Sequence, residues 1–316
     1  MNRCLSRLSL PLALLLALTL GSAPAFAARK LDPALIGEAS GATPSVAEDG
    51  VVRIGWSRTD VTVTVDGMAL PPAAGLGSWA AFAAMGDGAM VMGDTVVFQD
   101  EVDAAMDAAF AHELDVTALH NHFFYDSPKA YFMHIGGEGA PDALAAGVKA
   151  VWDAIRAVRA DRPRPASGFG GAAPVAGDID ADALAKIVGH PAPIASGVAK
   201  ITIGRTGRMH GQEIGASMGL TTWAAFSGSD ALAAIDGDFI MTAEEVQPVL
   251  RALREAGLHV VALHNHMMGE QPGFYFVHFW GKGPAVELAH SLRRALDAQA
   301  AIGKALAPSN AAHLSR

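Results

Sequence analysis

Cysteine, positive charge and long apolar runs are what this chain has least of. Its 316 residues include one cysteine, Cys4, which stands within the segment read below as a leader, ahead of its apolar run. A chain processed after that leader holds no thiol, which excludes disulfides, thiolate ligands and a cysteine nucleophile. Lysine and arginine number 23 against 32 acidic residues, for a formal net charge of −9. Loss of the leader removes Arg3 and Arg7 and no acid, giving −11. Such a chain has no general attraction for phosphate backbones, so nucleic acid is not an expected partner. Charged residues make up only 17% beside 51% apolar ones, which excludes disorder and leaves ample material for a core. There is no G-x-S-x-G elbow, no phosphate loop and no H-E-x-x-H helix.

Residues 1–27 read as a signal peptide. Arg3 and Arg7 form a basic head, Leu10 to Leu20 is the apolar run, and Ala25-Phe26-Ala27 is the small-x-small cleavage pattern. An apolar run of this length is too short for a bilayer core of about 30 Å, so no membrane span is expected after cleavage. The predicted location is the periplasm or the medium.

The rest of the chain is organised by a duplication. Trp79-Ala-Ala-Phe82 recurs as Trp223-Ala-Ala-Phe226, an offset of 144 that also carries Gly93-Asp94 onto Gly237-Asp238. Ala118-Leu-His-Asn-His122 falls on Ala262-Leu-His-Asn-His266, and Tyr131-Phe132 and His134 on Tyr275-Phe276 and His278. From Trp79 to Gly139 the ungapped comparison gives 23 identities in 61 positions. A period this long is domain-sized. The chain therefore divides into two tandem copies, 28–158 and 179–304, joined by a Pro/Gly/Ala-rich linker at 159–178 and followed by a tail at 305–316.

Pattern within each copy predicts an α+β fold, a mainly antiparallel sheet with helices on one face, the copies related by a pseudo-twofold axis. Short helices open the copies at 32–37 and 180–188. Strands are expected at 51–56, 61–66, 79–85, 90–98, 114–123 and 130–135, with Gly93-Asp94 as a bend. Helices are expected at 100–112, 141–159 and 243–256, the last with a Thr242/Glu245 capping box and Gly257 at C′. Trp79, Phe82, Trp223 and Phe226 are expected in the core.

Six of the twelve histidines follow one repeated spacing: His120, His122 and His134 with Asp126, then His264, His266 and His278 with Glu270. In a strand, positions i and i+2 share a face, so each H-x-H pair points one way. A hairpin centred on Pro128 would set His122 opposite His134, and Pro272 does the same in the second copy. Three neutral imidazoles suit a divalent ion such as zinc, with the acidic residue of the turn as fourth ligand or orienting group. Asn121 and Asn265 alternate to the other face and take a backbone or supporting role. The competing reading is structural, with the histidines bonded to carbonyls and no ion.

On the Ala118–His122, Tyr131–His134 and Gly137–Gly139 blocks and their copies, the chain resembles the LppY/LpqO (DUF1259) family of exported bacterial proteins. The resemblance covers nearly all of the chain after residue 27 and implies export and the two-copy organisation, without an activity. Family members that are lipoproteins carry a lipobox cysteine, which is missing here. A looser likeness links the H-x-H…H spacing to the zinc sites of acetolactate decarboxylases, and His264–Glu270 to the cupin motif. The expected function is thus an exported envelope protein that binds a divalent transition metal, with a small-molecule ligand as a further partner. The alternatives are a metal-dependent hydrolase or lyase using the ion as Lewis acid, and a metal-free periplasmic binding module.

Overall fold

The computed structural model describes residues 30–306; the segment read as a signal peptide and residues 307–316 of the tail lie outside them. The first copy runs α1 (Pro33–Ser40), β1 (Ser45–Val46), β2 (Val52–Ser57), β3 (Thr64–Val65), β4 (Met68–Ala69), β5 (Gly77–Met85), β6 (Gly88–Phe98), α2 (Val102–Ala111), β7 (Asp115–His120), β8 (Asp126–Ser127), β9 (Ala130–Gly139) and α3 (Pro141–Asp161). The second repeats the order: α4 (Ala181–Val188), β10 (Ile194–Ala195), β11 (Val198–Gly204), β12 (Gly207–Met209), β13 (Gln212–Ile214), β14 (Thr221–Gly228), β15 (Ala233–Met241), α5 (Ala243–Glu255), β16 (His259–His264), β17 (Tyr275–Gly283) and α6 (Ala285–Leu306).

The copies share one sheet. Its order is β1-β2-β5-β6-β9-β7-β16-β17-β15-β14-β11-β10, which reads the same from either edge once equivalent strands are matched. Leu119 pairs with Leu263, its own counterpart in the repeat, at the central seam. A pseudo-twofold axis therefore passes through that pair. All intrasheet neighbours are antiparallel, as expected for strands joined by short connections.

Alternation explains which face is core. In β9, Met133 and Ile135 are buried beneath α3, while Phe132 and His134 face the other way. Helix α3 supplies Leu144, Val148, Val151, Trp152 and Ile155 at helical spacing to the main core. The capping box of α5 is present, with Thr242 N donating to Glu245 Oε2 at 2.8 Å, and Gly257 ends the helix with φ +78°.

The sheet face away from the helices carries a flap in each copy, over 58–76 and 205–220. The flap ends are tied together by Arg58 N to Leu76 O (2.9 Å) and Arg205 N to Leu220 O (2.8 Å). Under the first flap lies a small second core of Val63, Leu76, Val96, Phe98 and Phe132, and under the second Leu220, Ile240, Phe274 and Phe276. Expected strand 61–66 shrinks to Thr64–Val65 because Asp66 and Gly67, both at positive φ, turn the chain back. Expected strand 114–123 stops at His120, where the chain leaves the sheet. Gly93-Asp94 is not a bend. It lies within the continuous strand β6, and Gly93 is there because a Cβ would meet Trp79 O at 2.9 Å.

Candidate metal centre

The register across each copy builds the site. Trp79 pairs with Asp94, Asp94 with His134 and His134 with Ala118, so one row runs over four strands. Trp223, Asp238, His278 and Ala262 repeat it. Directly opposed residues share a face, so each aspartate stands beside the last histidine of its copy. One step along, His120 pairs with Phe132 and His264 with Phe276, on the same face and diagonal to that histidine.

The hairpin is therefore centred on residue 126, not on Pro128. His122 does not oppose His134, because β7 ends two residues earlier, with His120 already opposite Phe132. His122 reaches the site from the loop, held flat on Phe132 with ring centroids 3.2 Å apart, and His266 lies on Phe276 at 3.5 Å. Convergence survives the changed register. Ring centroids are 5.2 Å apart for His120–His122 and 5.0 Å for His120–His134, and 5.2 and 4.9 Å for His264–His266 and His264–His278.

The acids of the cluster are not those of the turns. Asp126 Oδ2 accepts from Ala130 N at 2.7 Å and Glu270 Oε1 from Phe274 N at 2.9 Å, so both brace the loop that carries the second histidine. A short loop must find partners for its own buried amides, and these carboxylates supply them. The acid drawn into the histidines is the strand aspartate. Asp94 Oδ2 lies 3.8 Å from His134 Nε2, and Asp238 Oδ2 lies 3.1 Å from His266 Nε2. In the second copy Asp238, His264 and His266 each offer a ligand atom, all within 4.8 Å of one another. Tetrahedral zinc with bonds of about 2.0–2.1 Å needs donors roughly 3.3 Å apart, a small contraction from there.

Asp238 is 2% exposed and Asp94 8%, yet Oδ1 of each has no hydrogen-bond partner, and neither has His264 Nδ1. Burying a charged oxygen without a partner is costly, and a bound cation removes that cost. His122 and His264 are held below the ordinary imidazole range, first by burial and then by their neighbouring histidines, against the pull of the aspartate. Both rings are thereby biased toward the neutral form that coordinates metal.

The site has walls as well as candidate donors. Trp79 and Trp223 are half-buried beside it instead of in the core; Arg53 lies 4.6 Å over the first ring and Lys200 4.4 Å over the second. Phe82 and Phe226 alternate to the helix face and are fully buried. Asn121 and Asn265 donate to Phe123 O and Met267 O, both at 2.8 Å, a backbone role. Beside His264 a cavity of about 410 Å³ is bordered by Asn265, Met267, Met268 and Tyr275, with Thr117 from the first copy.

One comparison bears on these copies. The model of the Domain of Unknown Function (DUF1259) family matches twice, over residues 34–154 and 182–298. No curated protein gives a significant match. Among solved structures, a trimeric bacterial microcompartment shell protein, PduB, aligns over 83% of this chain and 93% of its own, at 11% identity and a TM-score of 0.19, too low to carry an argument. Among the described residues no helix is long and apolar enough to cross a membrane.

Proposed function

We propose that this chain, which belongs to the DUF1259 family, is an exported envelope protein that binds a divalent transition metal, zinc foremost, once in each copy. The ligands are His120, His122, His134 and Asp94 in the first copy, and His264, His266, His278 and Asp238 in the second. One observation carries the reading: both copies set the same strand aspartate among the histidines, beside His134 in the first and with His264 and His266 in the second, and leave its buried Oδ1 without a partner. A histidine cluster kept only for packing would have no use for an unpaired carboxylate oxygen at its centre. Export rests on the leader pattern of residues 1–27.

A second reading has the ion working as a Lewis acid on a bound molecule, and the cavity beside His264 favours it. Elemental analysis of untagged protein from the exported fraction tests the first reading. Metal in Asp94→Asn and Asp238→Asn variants should fall while Asp126→Asn keeps it; the reverse pattern would return the ligand role to the turn acid.

A further inference from the structure

The pseudo-twofold axis makes the two halves of the seam comparable, and they are built differently. On one side Gln247 closes the gap, its Oε1 accepting from Val116 N (3.1 Å) and its Nε2 donating to Val116 O (2.9 Å). Its counterpart across the axis is Asp103, which cannot donate to a carbonyl. Its carboxylate instead takes His259 Nδ1 at 2.5 Å and Arg254 at 2.9 Å. On that side the seam stays open as a cavity of about 450 Å³, a volume suited to a small organic molecule.

The residues that differ between the halves gather on that cavity. His259 stands where the first copy has Asp115, Trp280 where it has Gly136, and Asp236 where it has Met92. Phe169, from the segment joining the copies, completes the wall. Its ring lies flat on the His259 imidazole, centroids 3.7 Å apart and planes within 10°, although the side chain is 53% exposed. A planar aromatic group thus already stacks in the space. In the tautomer that donates from Nδ1 to Asp103, Nε2 is an acceptor, and no described residue bonds it.

We infer that this cavity is a second binding site, for a small planar aromatic molecule carrying a hydroxyl group. The ring packs between Phe169, Tyr131 and Trp280, and the hydroxyl donates to His259 Nε2. His259 and Asp103 act as a fixed acceptor, the aspartate setting the tautomer. Occupancy does not require the ion, although His278 borders both places.

Isothermal titration of the full chain with phenol, anisole and cyclohexanol tests this, with and without prior chelation. Phenol should bind at least tenfold more tightly than anisole, which lacks the donor, and than cyclohexanol, which lacks the flat ring. Val261→Trp, at a half-exposed position on the cavity wall, should abolish phenol binding. His259→Ala should weaken it at least tenfold and leave bound metal unchanged. Equal binding of phenol and anisole, undiminished binding in the Val261→Trp protein, or loss of phenol binding on chelation would each overturn the assignment. If the His259→Ala protein does not fold, the ligand series and Val261→Trp decide. Metal analysis of the same samples separates failure here from failure of the metal reading.

Discussion

At the scale of single residues, the cluster is a contest between burial and charge. Three imidazoles and a carboxylate share a small volume, and burial holds His122 and His264 below their ordinary range. The folded state therefore prefers both rings neutral, while the unfolded chain protonates them near pH 6.5. Stability of the metal-free protein is then full above about pH 6.5 and is lost as pH falls through the lower folded values. Thermal melts of chelated protein should show that decline, and His264→Gln should flatten it; a melting temperature flat between pH 7.5 and 5 would contradict the linkage. The strand aspartates were the hardest residues to read from sequence. Glycine followed by aspartate is a turn signal, and only the β-branched run around Asp94 and its repetition at Asp238 pointed to a strand. The tryptophans misled in the same way, because large aromatics suggest core and period-2 alternation decides the face.

At the scale of elements, the flap of the first copy hangs on a buried ion-pair network. Arg58, at the end of β2 and 0% exposed, grips Glu101 through two bonds of 2.7 and 2.9 Å, and also bonds Val96 O and Asp60. Glu101 in turn accepts from Phe98 N at 2.8 Å just ahead of α2. Arg159 Nε also reaches Glu101 Oε1, at 2.6 Å, so Glu101→Ala takes a shared carboxylate from two buried arginines, leaving Arg58 to Asp60 and Arg159 to Asp100, and should lower unfolding free energy by about 3 kcal/mol. In the second copy Arg205 meets Glu245, but the arginine side chain is 29% exposed and solvent screens the pair. Arg205→Ala should cost about 1 kcal/mol or less. Chemical denaturation of the two variants checks the contrast, and equal losses would contradict it. Helices were legible because capping and 3.6-residue periodicity are local properties. The hairpin register was not, because it depends on where β7 leaves the sheet, and a nine-residue excursion braced by Asp126 does not follow the arithmetic of a tight turn.

At the scale of the whole molecule, duplication has produced one continuous sheet. The offset of 144 was plain in the sequence, but nothing in it said that β7 and β16 would pair, so the seam cavity was invisible there. The seam is held by side chains as much as by strand pairing: Arg254 on Asp107, Arg251 on Phe110 O, and Gln247 on Val116. A first copy made alone, residues 30–161, would expose the β7 edge and the α2 surface that meets α5. Exposed edges pair with whatever is available, so that fragment should self-associate in sedimentation analysis, and a stable monomer would show the copies to be independent. The duplication also fixes what the metal reading demands, two equivalent centres on the same face of the sheet. Elemental analysis of the untagged protein should find two equivalents of zinc or another borderline divalent ion per chain. The count should fall to one in Asp94→Asn and one in Asp238→Asn; no metal above background, or two equivalents retained in both variants, would contradict the account.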